Sequence, residues 1–222
     1  MNQEQWTAVD QYITDRLAPR DEDLEAAQKA SADAGLPAIS VSPAQGKMLS
    51  LLATMIGAKR ILEIGTLGGY STLWLGWALP LGGSIVTLEY DPKHAAVAKS
   101  NIARAGLADS VEIRVGKALD TLPKLAAENP PPFDMFFIDA NKDGIPEYFQ
   151  WAIKLGRKGS LIVVDNVVRG GKILDEASAD VDVQGVRRFY DMLAQEPRVS
   201  ATAIQTVGIK GYDGFALAVV VG

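Results

Sequence analysis

From residue 60 onward the chain alternates short, nearly unbroken apolar runs with helix-length stretches, and that alternation restricts the fold more than any other feature. The runs lie at 60–65, 84–90, 111–115, 133–139 and 160–165. A strand that is apolar on both faces needs cover on both, and helices between the runs supply it, so the pattern predicts a parallel sheet wrapped on both sides. Helices are expected near 69–79, 92–105, 118–128, 145–155 and 183–195. Two further runs, 199–206 and 214–221, are joined by the glycine-rich segment 208–214, which has no room for a helix; they form a hairpin and the last strand runs antiparallel. Before residue 60 the signals are helical: 3–17, 21–34 stopping at Gly35, and 43–56 opening on Pro43 and stopping at Gly57. The expected fold is α/β, a Rossmann-like doubly wound seven-stranded sheet, mostly parallel with an antiparallel last strand. A single domain is expected over 1–222, with N-terminal helices at 1–57 and the core at 58–222. The stretch 168–181 reads as one long irregular loop, either a lid or a plain connection.

Composition removes whole classes of chemistry. With no cysteine, disulfides, thiolate metal sites, iron–sulfur clusters and a cysteine nucleophile are excluded. The single histidine, His94, rules out zinc centres built on two or three histidines, and any serine–histidine–acid triad would have to pass through it. His94 follows Asp91-Pro92-Lys93 at an expected helix start and reads as a solvated helix residue. Net charge is −5, with 22 basic and 27 acidic residues scattered along the chain, which disfavours a nucleic-acid partner. No apolar run approaches the ~18 residues of a membrane span. Residues 1–6 lack a basic segment leading into an apolar one, so no secretory signal is expected and the cytoplasm is the default location.

The turn after the first strand is Gly65-Thr66-Leu67-Gly68-Gly69, with Tyr70-Ser71 opening the next helix. A dinucleotide fingerprint needs glycine at the first, third and sixth positions, but here Leu67 is third and Tyr70 sixth, so a pyrophosphate fits badly. Glu63, inside the strand before the turn, would repel phosphate and suit a cation. Glu89 ends the second strand, where an acid can hold both hydroxyls of a ribose. Adenosine with a positive group and no pyrophosphate describes S-adenosylmethionine. The plainer reading of Gly68-Gly69 is tight helix packing.

Asp139 ends the run Met135-Phe136-Phe137-Ile138, and Asp165-Asn166 end Leu161-Ile162-Val163-Val164. Two carboxylates and an amide at two strand tips form an oxygen-ligand set for a hard cation, magnesium first and manganese or calcium next. Such an ion, still short of ligands, could take two adjacent hydroxyls of a catechol-like diol. Lys142, three residues after Asp139, is placed to accept the hydroxyl proton. The plainer reading is that these acids cap turns. Asn129-Pro130-Pro131-Pro132-Phe133 looks like the signature of enzymes that methylate amine nitrogens, but it precedes its strand instead of following it, and reads as a rigid loop on the opposite face of the sheet.

These residues resemble the cation-dependent S-adenosylmethionine O-methyltransferases, the family of catechol and caffeoyl-coenzyme A O-methyltransferases, from about Ile39 to the end of the chain. The resemblance lies in Leu62-Glu63-Ile64-Gly65-Thr66 with Gly69-Tyr70-Ser71, in Phe133-Asp134 with Phe137-Ile138-Asp139-Ala140 and Lys142, and in Asp165-Asn166-Val167. It implies a cofactor held by Val41, Glu63, Gly65, Ser71, Glu89, Ala118 and Asp139, a metal on Asp139, Asp165 and Asn166, Lys142 as catalytic base beside Asp139, and commonly a homodimer. The chain departs from the family at Asn141, at Arg187-Arg188-Phe189-Tyr190 near the substrate, and at Ile209-Lys210-Gly211-Tyr212. The expected activity is metal-dependent methylation of one hydroxyl of a small vicinal diol, a catechol or phenylpropanoid-like molecule. The rival expectations are an NAD-dependent oxidoreductase and a non-catalytic cofactor-binding protein.

Overall fold

The computed structural model describes residues 2–18 and 21–222. Three helices lead: α1 (Gln3–Leu17), α2 (Glu22–Asp33) and α3 (Pro43–Met55). Alternation then sets in with β1 (Arg60–Ile64), α4 (Tyr70–Trp77), β2 (Ser84–Glu89), α5 (Pro92–Arg104), β3 (Val111–Val115), α6 (Ala118–Ala127), β4 (Met135–Ile138), α7 (Ile145–Leu155) and β5 (Leu161–Asp165). The chain finishes with α8 (Val181–Gln195), β6 (Val199–Gly208) and β7 (Gly211–Val220). The strands form one sheet in the order β3-β2-β1-β4-β5-β7-β6, and β7 alone runs against its neighbours. This is the Rossmann-like doubly wound arrangement expected.

Because side chains alternate along a strand, the sheet divides its residues between two cores. Leu62, Ile64, Phe136, Ile138, Ile162 and Val164 pack with Phe149 and Phe189 on one face. Ile61, Met135, Phe137, Leu161 and Val163 pack with Leu49, Leu73 and Trp74 on the other. The parallel register sets Ile64 beside both Leu88 and Ile138, and Ile138 beside Val164. Gly65, Glu89, Asp139 and Asp165 therefore emerge together at the carboxyl ends of the strands, where strand order reverses between β1 and β4.

Two expectations change. The 208–214 segment is mostly strand: Thr206 pairs with Asp213 and Val207 with Tyr212, leaving only Ile209-Lys210 as the turn. Helix α1 holds this longer hairpin, with Asp10 accepting from the Ile209 amide at 2.7 Å and Gln3 donating to the Gly208 carbonyl at 2.9 Å. The 168–181 stretch is not uniformly irregular either, since Arg169–Leu174 forms 3₁₀ turns kinked at Gly170 and Gly171. The Asn129–Phe133 loop does lie away from the site: it leads into the amino end of β4, where Asp134 accepts from the Lys59 and Arg60 amides.

Helix α8 presses on the short turn Lys142–Gly144 through Gly185, where an added Cβ would strike the Lys142 carbonyl and the Asp143 Cα. Alanine inside a helix ordinarily stabilises by up to ~1 kcal/mol over glycine. Here Gly185→Ala is expected to destabilise by about 1–3 kcal/mol through overpacking. Chemical denaturation of the two proteins would show it, and a gain in stability would mean that the helix and turn are not in firm contact.

Candidate active site

A cavity of about 810 Å³ opens at the carboxyl ends of the strands. Val41, Gly65, Ser71, Glu89 and Ala118 line one part of it, and Asp139, Lys142 and Asn166 another. Glu63 and Asp165 are not among its lining residues; they lie just beneath it.

Gly65 adopts φ +102°, and a Cβ there would collide with the Asp139 carbonyl, so only glycine lets the β1 turn lie against the end of β4. Glu89 holds the turn in place. Its Oε2 accepts from the Leu67 amide at 2.7 Å and the Thr66 amide at 3.2 Å, and its Oε1 accepts from the Asp91 amide at 2.9 Å. His94 corrects an expectation: it is not a solvated helix residue but a partly buried part of the cavity wall, with Nδ1 3.4 Å from Glu89 Oε1. Its position in the first turn of α5 brings it back over the end of β2.

Glu63 is fully buried and accepts from three hydroxyls: Ser71 at 2.7 Å, Thr72 at 2.5 Å and Thr87 at 2.7 Å. Ser71 stands between it and the cavity. Burial raises its carboxyl from 4.5 to about 7, against the lowering effect of those hydroxyls. The folded chain thus holds the proton more tightly than the unfolded chain. This stability is complete below pH 4.5, declines as pH rises toward 7, and is absent above that. The loss is on the order of 3 kcal/mol, at ~1.4 kcal/mol for each tenfold change in proton affinity. Denaturation midpoints across pH 5 to 8 should fall for the native protein and fall less steeply for Glu63→Gln, which keeps only the contribution of the buried Asp165. Parallel slopes would show that Glu63 does not titrate in this window.

At the other side of the cavity Lys142, itself buried, donates from Nζ to Asp139 Oδ1 at 2.7 Å. The Asp165 carboxyl is raised from 3.8 to about 7, first by burial and then by repulsion from Asp139, with Lys142 and the Asn166 amide opposing. Asn166 takes a left-handed φ of +58° and donates its backbone N–H to Asp165 Oδ1 at 2.8 Å. Among the described residues no group of three or more His, Asp or Glu side chains converges. The candidate cation ligands are therefore two carboxylates and one amide, a hard-donor set whose mutual repulsion a divalent cation would relieve.

Sequence reasoning missed other walls of the cavity. Tyr148 reaches it from α7 and donates to Asn141 Oδ1 at 2.6 Å, while Asn141 donates in turn to Asp143. Leu67, Tyr90 and Arg169 also line it, brought there by turns whose direction no periodicity reveals. Tyr190, expected near the substrate, packs instead beside Phe189 against the core and is not among the lining residues. Arg187 and Arg188 act as ties, donating to the Ile173 and Asp143 carbonyls at 2.5 and 3.0 Å. The loop after β5 is clipped to the hairpin, because Asp213 Oδ1 accepts from the amides of Val168, Arg169 and Gly214, each at 2.9 Å.

Residues 16–219 match the family model described as O-methyltransferase. A catechol O-methyltransferase of Niastella koreensis is 58% identical over 220 residues, covering 99% of this chain and all of that protein. Among solved structures, an O-methyltransferase from Bacillus cereus in complex with SAH shares 58% identity at a TM-score of 0.98, covering 99% of this chain and 100% of the other. The O-methyltransferase TomG of Streptomyces achromogenes, involved in tomaymycin synthesis and solved with SAM, shares 54% identity at a TM-score of 0.97, with both chains fully covered. A family match over nearly the whole length, joined to relatives of this identity and coverage, shows that the chain belongs to the O-methyltransferase family.

Proposed function

We propose that the protein transfers the methyl group of S-adenosylmethionine to one hydroxyl of a vicinal diol, with catechols as the best-supported acceptors, in a reaction that requires a divalent cation. One observation carries this reading: Lys142, Asp139 and Asn166 line the same cavity as Gly65, Ser71 and Glu89. The relatives support it too, one named a catechol O-methyltransferase and two solved with SAM or SAH. The nicotinamide-dependent alternative is set aside by the family.

When bound, the methyl donor supplies an electrophilic carbon, and a cation held by Asp139, Asp165 and Asn166 makes a diol hydroxyl more acidic. The chain's own residues do the rest. Glu89 keeps the glycine turn rigid through the Thr66 and Leu67 amides, and the Glu63–Ser71 pair would give the methyl donor a polar floor. Lys142 accepts the hydroxyl proton at Nζ, oriented by its bond to Asp139. Leu67, Tyr70 and Tyr148 wall the cavity with largely apolar surface, and holding donor and acceptor in line contributes most of the remaining acceleration.

The proposal extends to one catalytic domain over 1–222 and to a homodimer acting in the cytoplasm. Among the described residues no helix is long and apolar enough to cross a membrane. The test is incubation with methyl-labelled S-adenosylmethionine and a panel of catechols, phenylpropanoids and other diols, with and without chelator. Label should move to catechols, stop with chelator, and resume when magnesium or manganese is restored. Transfer indifferent to chelator would remove the cation from the mechanism; no transfer to any diol would remove the acceptor class.

A further inference from the structure

We infer that Arg169 makes this site selective for diols that carry an anionic group, such as a carboxylate on the aromatic ring; the inference rests on the methyl-transfer reading above. Arg169 follows Asn166 by three residues and lines the cavity together with Asn166 and Lys142. Its backbone is held in a left-handed conformation, φ +56°, by the bond from its own amide to Asp213, so the side chain starts from a fixed point.

The guanidinium is only loosely engaged. Its partner is Asp182 Oδ2 at 3.3 Å, a contact in which both side chains keep about a third of their surface open, 27% and 36%. A guanidinium carries five N–H donors in a planar fork matched to a carboxylate, and one contact of this length leaves most of that capacity unused. The other cation at this side of the cavity, Lys142, is bound tightly to Asp139 at 2.7 Å and is assigned to proton transfer. Lys117 lines the cavity beside Ala118, on the part shared with Gly65 and Glu89, so Arg169 is the positive charge left for the acceptor beside Asn166. In a chain of net charge −5, that local charge is what would favour an acid over its neutral isostere. A partly desolvated pair of this kind is expected to discriminate by about tenfold. The rival reading makes Arg169 a simple strut tying the loop to α8.

The two readings separate on protocatechuate and its neutral carboxamide, compared in kcat/KM with S-adenosylmethionine and magnesium, and in equilibrium binding with S-adenosylhomocysteine present. The native enzyme should prefer the acid by about tenfold, Arg169→Gln should bring the ratio close to one, and Arg169→Lys should lie between. Asp182→Asn, which removes the resident anion, should raise the ratio several-fold, a gain that damage to the loop could not produce. If Arg169→Gln scales both acceptors alike, or Asp182→Asn lowers the ratio, the strut reading stands and the inference is overturned. If neither compound is methylated, the methyl-transfer reading fails on its own, and the binding ratio still decides Arg169: dependence on the guanidinium supports anion recognition, and independence ends it.

Discussion

Replacing Lys142 by alanine is expected to lower kcat by two to four orders of magnitude, the usual range for a lost general base, while the dissociation constant for S-adenosylhomocysteine moves less than about threefold. The expectation follows from placement: a buried amine beside the candidate cation ligands, whose hydrogen bond goes to the Asp139 carboxylate and not to the glycine turn. Alanine alone leaves an ambiguity, because it also removes a charge that Asp139 and Asp165 feel. Lys142→Arg resolves this, since arginine keeps the charge and the ion pair but does not give up its proton at accessible pH. If Lys142 is the base, arginine should be nearly as slow as alanine. Recovery to within tenfold of the native rate would make Lys142 an electrostatic support and leave the base to be found elsewhere.

The second large effect concerns Asp165, where stability and metal affinity should move in opposite directions. In the metal-free protein Asp165 is buried and repelled by Asp139, so Asp165→Asn is expected to stabilise by on the order of 1–3 kcal/mol. The same change removes a charged ligand and should weaken manganese binding by at least about tenfold to a hundredfold, measured by calorimetry, with magnesium-supported turnover falling in step. Turn capping predicts the reverse for stability, because the carboxylate accepts the Asn166 amide at 2.8 Å and losing that charge would weaken the cap. A variant less stable than the native protein and binding manganese as well would leave these acids with turn chemistry alone.

What could be read from the sequence was whatever is local. Both faces of β4 and β5 are buried, so Met135–Ile138 and Leu161–Asp165 announce themselves as unbroken apolar runs, and the acids at their tips follow. The glycine turn is legible because Gly65 has a conformational task that other residues do badly. Residues whose role depends on two elements meeting were not legible. Nothing near His94 in the chain indicates that α5 will carry it over Glu89. The segment 208–214 is rich in glycine and reads as a connection between strands, yet cross-strand pairing and the Asp10 contact extend both strands into it and leave a two-residue turn. Tyr190 is a related case, since sequence places it one position from the buried Phe189 without showing that it packs beside that ring against the core.

The position of β7, later in the chain than β6 yet inserted between β5 and β6, divides the assembly of the molecule into an early and a late half. Most of the segments proposed to hold the nucleoside are drawn from neighbouring stretches, β1 through α6, and close over short loops. The side with the candidate cation ligands waits for the hairpin, because only then does β5 gain its outer partner and Asp213 accept from the Val168 and Arg169 amides. Pairings distant in sequence form slowly, so a refolding chain should regain nucleoside recognition before it regains the capacity to catalyse, and a kinetic trap would leave molecules that hold the donor but cannot spend it.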